Sequence, residues 1–191
     1  MKKIITILTF LTLTFTIMNQ ASAQQKRAST NLENLLYIDL KYGRVVIEML
    51  PQAAPQHVER VKALARKGFY DGIVFHRVIP GFMAQTGDPT GTGMGGSKLP
   101  DLRAEFSDEP HIRGAVSMAR SSNPNSANSQ FFIVTNDSRF LDGQYTVWGR
   151  VIKGMEFVDQ IKKGSSSNNG TVTNPDVMVK VRVAIDAEKD K

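Results

Sequence analysis

The sequence predicts an all-β domain that carries two short helices. Apolar segments of strand length recur along the chain and are separated by loops rich in Gly, Pro, Asn and Ser, a pattern typical of short antiparallel strands. Only two segments space their apolar residues three and four positions apart, as helices do. Because an all-β domain has to protect the edges of its sheet, and closure removes them, we expect a barrel, with a sandwich as the alternative.

The predicted elements begin at residue 35. Two apolar runs, residues 35–40 and 45–50, flank a turn in which Gly43 can take a positive φ, so they predict a β-hairpin. A helix is predicted between Pro55 and Gly68. Further strands are predicted at residues 73–79, 115–119, 130–135, 145–152 and 177–183, and a second short helix at 155–163. In the last strand, valine alternates with other residues, and this pattern predicts one shared face for Val177, Val179, Val181 and Val183.

The N-terminal segment, residues 1–23, has the layout of a secretory signal. Lys2 and Lys3 precede an apolar, Thr-rich run over residues 4–18, and Ala21-Ser22-Ala23 places small residues before Gln24. The run is shorter than the roughly 20 apolar residues of a membrane-spanning helix. We therefore expect cleavage after Ala23 and an exported protein, periplasmic or secreted. An uncleaved membrane anchor is the alternative.

The remaining 168 of the 191 residues suit a single domain. We assign residues 24–34 to a polar arm, 35–187 to the domain and 188–191 to a charged tail, and we expect a monomer that does not associate with membranes. The signal holds two of the 24 basic residues and no acidic ones, so its removal lowers the formal charge from +6 to +4. No run of Lys or Arg exceeds two residues, which argues against a nucleic-acid partner.

Several kinds of chemistry are excluded by composition and spacing. The chain has no cysteine, so it has neither a thiol nucleophile nor a disulfide. His57, His76 and His111 lack the spacing of metal ligands, and no metal or cofactor is expected. The glycine-rich run at 87–97 lacks the Gly-Lys-Ser/Thr order of a phosphate-binding loop, so it is interpreted as a long loop with turns.

Three blocks of sequence remain. They are Phe75-His76-Arg77-Val78-Ile79-Pro80-Gly81-Phe82-Met83-Ala84-Gln85-Thr86-Gly87-Asp88, then residues 117–133 with Asn128-Ser129-Gln130-Phe131-Phe132, then Leu141-Asp142-Gly143 with Val147-Trp148-Gly149. In order and spacing they resemble the cyclophilins, the cyclosporin-binding peptidyl-prolyl cis-trans isomerases. The resemblance spans roughly residues 35–185. It implies a closed eight-stranded antiparallel barrel with a helix over each open end and a substrate groove on the outer wall.

The resemblance also implies the site residues. The implied catalytic residues are Arg77, Phe82, Gln85 and Phe132, and the implied substrate-binding residues are His76, Met83, Ala119, Arg120, Gln130, Phe140, Leu141 and Tyr145. Phe82, Met83, Phe132 and Leu141 would line a pocket for the proline ring. Without the resemblance, these apolar residues would be interpreted as core and Arg77 as a surface arginine.

The activity implied is the isomerisation of X-Pro bonds in unfolded or exported polypeptides. Arg77 would donate to the prolyl nitrogen of the twisted amide, and no cofactor would be needed. A weakly catalytic or non-catalytic module that binds proline peptides is the alternative. In a strand, Gln130 and Phe132 share a face, whereas Arg77 and Phe82 would not, so a break at Pro80-Gly81 has to reset the register.

Three positions depart from the family pattern. Phe140 stands where cyclosporin-sensitive members carry tryptophan, which removes an indole donor, so we expect weak cyclosporin binding. Arg120 stands where many relatives carry asparagine, and Tyr145 where many carry histidine. We expect these two to influence which residues are preferred around the proline.

Overall fold

The computed structural model describes residues 32–189. Contacts divide the chain into two units, residues 1–33 and 34–191, and only Leu32 and Glu33, both helical, are described in the first. The predicted signal, most of the predicted arm and residues 190–191 therefore lie outside the described part. Among the residues that are described, no helix is both long enough and apolar enough to cross a membrane. All that follows concerns the second unit.

The second unit is built on one antiparallel sheet of eight strands. The strands are β1 Leu35–Leu40, β2 Gly43–Met49, β3 Arg77–Ile79, β4 Met83–Thr86, β5 Ala115–Met118, β6 Phe131–Val134, β7 Val147–Lys153 and β8 Lys180–Val183. Their order across the sheet is β3-β4-β6-β5-β7-β2-β1-β8. The helices are α1 Pro55–Arg66, α2 Met155–Val158 and α3 Ala184–Lys189. The all-β class and the antiparallel sheet are thus confirmed.

The predicted closure of the barrel is wrong, because the sheet curls into a half-barrel that stays open between β3 and β8. Isolated bridges, such as Val74 to Val177, and single backbone hydrogen bonds connect the chain on the two sides of this gap without forming a regular ladder. The segment that leads into β8 contains Asn174 in the left-handed region (φ 51°) and Pro175, which has no backbone N–H. Neither residue suits a continuous ladder, so regular pairing fails there.

The predicted strand ends shift for the same reason. Residues 73–76 lie outside β3, and the Phe75 N–H donates to the Asp176 carbonyl at 2.8 Å across the gap. The predicted common face of the last strand also fails. Val181 and Val183 are buried, but Val177 and Val179 are exposed and Met178 is buried, because the regular pairing of β8 begins only at Lys180.

The helices differ from the prediction at the C-terminal end of the chain. α1 buries Val58, Val61, Leu64 and Ala65 as predicted and packs against β7 and β8. The second predicted helix, residues 155–163, is only four residues long, because the N–H groups of Gln160 and Ile161 bond three residues back instead of four, and the Lys162 N–H then donates to the Asp176 carboxylate (2.9 Å). α3 was not predicted, and it contacts β1 and β8.

The core forms two clusters, and β6 contributes to both. Phe131 and Ile133 face the larger cluster with Trp148, whereas Phe132 and Val134 face a smaller one. All four residues of β6 are therefore buried. The smaller cluster is formed by Leu50, Met83, Ala115, Phe132, Val134, Leu141 and Val147, with Phe82, Ala119 and Tyr145 packed against it. This smaller cluster lies beneath the site described next.

Candidate active site

Two adjoining clefts lie over the smaller core cluster. The first cleft measures about 720 Å³, and eleven of the twelve predicted site residues line it: His76, Arg77, Phe82, Met83, Gln85, Ala119, Arg120, Phe132, Phe140, Leu141 and Tyr145. The twelfth, Gln130, lines the second cleft of about 580 Å³, which shares Gln85, Gly93, Met94, Ala119 and Arg120 with the first. The fold thus brings the predicted residues together, while their roles stay predictions.

The three central polar and aromatic side chains are aligned by strand register. Arg77 on β3 pairs with Gln85 on β4, and Gln85 pairs with Phe132 on β6. Residues directly opposite one another on adjacent strands point to the same face of a sheet. Arg77, Gln85 and Phe132 therefore form one row across three strands.

Phe82 reaches the same cleft because the chain turns sharply between β3 and β4. Gly81 takes a φ of 69°, and the Phe82 N–H donates to the Ile79 carbonyl at 3.1 Å. This positive φ costs glycine little and most other residues more. The expected break at Pro80-Gly81 is therefore present, and it brings Phe82 to the side on which Arg77 lies.

The Arg77 guanidinium is held by three hydrogen bonds. Its Nη1 donates to Gln85 Oε1 (3.0 Å), its Nε to the Asn169 carbonyl (3.0 Å) and its Nη2 to Asn169 Oδ1 (2.9 Å). A guanidinium has five N–H donors, so two remain for a ligand in the cleft. Burial lowers the pKa of Arg77, while the nearby Tyr145 hydroxyl opposes this effect. The arginine nevertheless stays charged at every physiological pH.

A directional chain of hydrogen bonds sets the orientation of Gln85. Gln130 Nε2 donates to the carbonyls of Gly93 (3.0 Å) and Gly95 (2.8 Å), which leaves its Oε1 to accept from Gln85 Nε2 at 2.9 Å. Gln85 must then turn its own Oε1 towards Arg77. Because an amide has one donating and one accepting end, the two backbone carbonyls determine the orientation of both glutamines.

Asp88 organises the glycine-rich loop that supplies these carbonyls. Its buried carboxylate accepts from the backbone N–H groups of Thr90 (2.7 Å) and Gly93 (2.6 Å) and from the Thr90 hydroxyl. Burial alone would raise the pKa of Asp88, but the hydrogen bonds from Thr90, Gly95 and Gly93 outweigh it and lower the pKa to about 2. The run interpreted as a plain loop is thus an ordered part of the site.

The apolar floor of the first cleft consists of Phe82, Met83, Phe132 and Leu141. Met83, Phe132 and Leu141 are buried, and Phe82 is half-buried. At the mouth, Phe140 is 65% exposed and its ring centre lies 5.5 Å from that of Phe82. The cleft therefore combines a fixed cationic donor at one wall with an apolar floor, an arrangement that suits a small ring bearing an amide.

Arg120 and Tyr145 together form the wall between the two clefts. The Arg120 guanidinium lies 4.4 Å from the centre of the Tyr145 ring, a cation–π contact. Its Nε and Nη2 donate to the Gln144 carbonyl, and its Nη1 donates to the Ser121 carbonyl. No carboxylate forms a salt bridge with Arg120 within residues 32–189, so the site adds positive charge beside Arg77.

Two histidines support the cleft from below. Burial lowers the pKa of His76, while Asp88 and a weak hydrogen bond to the Val74 backbone oppose this effect, and neither ring nitrogen makes a hydrogen bond of good geometry within the described residues. His111 Nε2 lies 3.0 Å from Ser117 Oγ, and its Nδ1 lies 3.1 Å from Asp142 Oδ1. This arrangement has the distances of a Ser-His-Asp triad, but Ser117 is fully buried and donates to the Thr146 carbonyl. It therefore fixes Asp142, the neighbour of Leu141, and does not expose a nucleophile.

The sequence analysis missed Asn169, Thr171 and the loop residues Gly91, Thr92, Gly93 and Met94, all of which line the first cleft. Asn169 lies 92 positions from Arg77, and the only local signal is an Asn-Gly turn. Nothing in the spacing of a turn indicates which distant side chain it will contact. Within the described residues, no group of three His, Asp or Glu side chains is placed to hold a metal ion.

The fold and the cleft first define a class: an antiparallel half-barrel whose two adjoining clefts hold the predicted site residues. The family model of the cyclophilin type peptidyl-prolyl cis-trans isomerase/CLD matches residues 35–183. A probable peptidyl-prolyl cis-trans isomerase of Brucella suis is 52% identical over 177 residues, covering 87% of this chain and 90% of the relative. The chain therefore belongs to the cyclophilin family and is a cyclophilin-type peptidyl-prolyl cis-trans isomerase.

Solved structures support the same assignment. A cyclophilin from Hirschia baltica has a TM-score of 0.71 at 30% identity, covering 80% of this chain and 74% of that one. A cyclophilin-type isomerase from Cryptosporidium parvum, solved in the presence of the dipeptide Ala-Pro, has a TM-score of 0.72 at 29% identity and covers 78% of this chain and 98% of that one.

Proposed function

We propose that Arg77 accelerates X-Pro rotation by donating to the prolyl nitrogen while the apolar floor holds the proline ring. The observation that carries this proposal is the state of the Arg77 guanidinium. Three of its N–H groups are occupied by Gln85 and Asn169, and two remain in a cleft that is also lined by Phe82, Met83, Phe132 and Leu141.

The chemistry follows from the electronic structure of the amide. Rotation costs roughly 18–20 kcal/mol because the nitrogen lone pair is delocalised into the carbonyl. At the twisted geometry the lone pair returns to nitrogen, which becomes a hydrogen-bond acceptor. A donor aimed at that nitrogen binds the transition state more strongly than either planar isomer, and this difference lowers the barrier.

The surroundings of Arg77 make this donation stronger. Gln85 and Asn169 hold the guanidinium through neutral oxygens, so its charge is not cancelled. The buried side chains of Met83 and Phe132 exclude water from one side, which weakens dielectric screening. Held by the floor, the proline ring would stay fixed while the preceding part of the peptide rotates.

The rest of the polypeptide would lie along the wall formed by Ala119, Arg120, Gln130 and Tyr145, with Phe140 at the mouth. The Cryptosporidium parvum relative was solved with Ala-Pro, which supports proline-containing peptides as ligands here. We expect the substrates to be unfolded or exported polypeptides, and we expect the protein to act as a monomer.

The test compares cis-trans exchange of a proline peptide by the wild type, Arg77→Ala and Arg113→Ala. Arg113 is an exposed arginine paired with Asp159, outside the clefts, and serves as the matched control. Loss of one transition-state donor is expected to lower kcat/KM by about 10²- to 10³-fold, with folding retained. Equal rates for Arg77→Ala and wild type would contradict the mechanism. If all three proteins bind the peptide but none accelerates its exchange, the alternative of a non-catalytic module that binds proline peptides is favoured.

Export is the second part of the proposal. The charged start, the apolar run and the small residues before Gln24 support it, and the 52% identical relative is bacterial, which fits a periplasmic or secreted protein. Mass spectrometry of the protein expressed with its native N-terminus should find a chain that begins at Gln24. A chain that retains Met1 in the membrane fraction would indicate an anchor instead.

A further inference from the structure

Asn169 contributes two acceptors to one edge of the Arg77 guanidinium. The backbone carbonyl receives Nε at 3.0 Å and the side-chain Oδ1 receives Nη2 at 2.9 Å. This is the two-point geometry that a carboxylate usually offers to arginine. Here both oxygens belong to amides, so the guanidinium is held without losing its charge to an ion pair.

Asn169 can present both oxygens together because of its backbone conformation. Its φ of 49° and ψ of 29° lie in the left-handed region, where asparagine is among the few side chains that are tolerated. The 3₁₀ turn Ser166–Asn168 precedes it and Gly170 follows. A side chain on Gly170 would come within 2.5 Å of Ile79, so the loop approaches β3 closely.

The loop is attached to the strand that carries Arg77. The Gly164 N–H donates to the Val78 carbonyl (2.9 Å), and the Val78 N–H donates to the Gly170 carbonyl (2.8 Å). Both ends of the loop are thus bonded to the residue next to Arg77. Movement of the loop relative to the guanidinium is restricted, and Asn169 holds a defined position.

We propose that Asn169 is a positioning residue of the isomerase, which orients the Arg77 donors towards the cleft while leaving their charge uncompensated. This inference rests on the proposed role of Arg77. An unheld arginine samples many rotamers and loses that freedom on reaching the transition state. Asn169, together with Gln85, removes the freedom in advance.

Three substitutions separate the components of this role. Asn169→Gly keeps the carbonyl and the left-handed backbone but removes Oδ1. Asn169→Asp keeps both acceptors and adds a negative charge. Asn174→Gly is the matched control, because Asn174 is also a left-handed asparagine (φ 51°) in an exposed loop and lies outside both clefts.

Two measurements are made on each variant: kcat and KM for a proline peptide, and NMR hydrogen exchange of the Arg77 Nη2 hydrogens, which are the ones that Asn169 Oδ1 accepts. Asn169→Gly is expected to lower kcat about fivefold to twentyfold, within the range known for a misplaced catalytic group, with little change in KM. It should also speed the exchange at Arg77. Asn169→Asp should keep the exchange slow yet lower kcat further, because its charge opposes that of the guanidinium. Asn174→Gly should resemble the wild type in both measurements.

Wild-type kcat in Asn169→Gly, with faster exchange at Arg77, would overturn the inference while leaving the role of Arg77 intact. Unchanged exchange in Asn169→Gly would overturn it as well, by showing that Asn169 does not hold the guanidinium. If Arg77→Ala itself isomerises at the wild-type rate, the proposed mechanism fails and the inference fails with it. The exchange measurement distinguishes these cases because it does not depend on turnover.

Discussion

Phe140 is the residue at which we expect drug binding and catalysis to be separable. It lies at the mouth of the first cleft, tilted 36° against Phe82, and its ring can offer no hydrogen bond. The row formed by Arg77, Gln85 and Phe132 does not include it. Catalysis is therefore expected to persist where cyclosporin affinity is weak.

Phe140→Trp is expected to strengthen cyclosporin binding about fivefold to thirtyfold. The change adds an indole N–H donor and apolar area at an exposed position, contributions of about 1–2 kcal/mol together. Titration calorimetry of both proteins measures the difference. Phe106→Trp is the control, since Phe106 is also partly exposed (46%) but lines neither cleft. Equal affinities for the wild type and Phe140→Trp would show that another residue limits drug binding.

The glycine-rich loop acts as one element because Asp88 holds it together. The loop's backbone carbonyls at Gly93 and Gly95 set the orientation of Gln130. Gln130 in turn orients Gln85, which bonds to Arg77. Disorder in this loop is therefore expected to disturb the orientation of Arg77 through Gln130 and Gln85, although no residue of the loop bonds to Arg77.

Asp88→Asn is expected to lower the free energy of unfolding by about 1–3 kcal/mol, since a neutral amide is a weaker acceptor for the buried N–H groups. It should also lower kcat/KM. The carboxylate has a folded-state pKa of about 2, below the ordinary value near 3.9. Its stabilisation is thus complete above about pH 4 and is lost as the pH falls towards 2. Urea unfolding of both proteins at pH 7 and pH 2 measures the effect. If the wild type exceeds Asp88→Asn in free energy of unfolding by as much at pH 2 as at pH 7, the carboxylate is not the source of the stabilisation.

Elements defined by contacts between neighbouring residues could be predicted, whereas elements that depend on contacts between distant positions could not. The β1–β2 hairpin and α1 follow from local pattern, and both lie where expected. The ends of β3 and β8 depend on bonds such as Phe75 to Asp176, which join positions about a hundred residues apart. Likewise the motif residues of the cleft could be predicted from the sequence, but Asn169 could not.

The open sheet and the active site are connected at the scale of the whole domain. Arg77 lies on the edge strand β3, with a regular ladder to β4 on one side and a single bridge to Thr171 on the other. The Gly170 carbonyl, beside Thr171, still accepts from the Val78 backbone N–H at 2.8 Å. The pairing does not extend to Asn169, which is in the left-handed conformation, so the Asn169 carbonyl is available to the Arg77 side chain. The gap that contradicts the predicted barrel is thus where Arg77 gains its partner.

Burial of all three histidines gives the domain a pH dependence of its own. Burial lowers the pKa of His57, His76 and His111, although Glu105, Asp88 and Asp142 respectively oppose this effect. The folded state therefore binds fewer protons than the unfolded chain, whose histidines titrate near pH 6.5 at about the ordinary value. Stability is complete above that pH and declines as the pH falls through it towards the lowered folded-state values.

Replacing His76 should reduce this dependence most clearly, because its ring has only a weak hydrogen bond to the Val74 backbone to lose, whereas His57 and His111 each contact a carboxylate. We expect the free energy of unfolding of the wild type to fall between pH 7.5 and pH 5.5, and that of His76→Phe to fall less. Urea unfolding at several pH values within this range gives the slope of the free energy of unfolding against pH for each protein. Equal slopes would mean that His76 becomes protonated in the folded state as readily as in the unfolded chain. In that case the buried imidazole would have to gain a partner on protonation, such as the Asp88 carboxylate, whose charge already opposes the effect of burial.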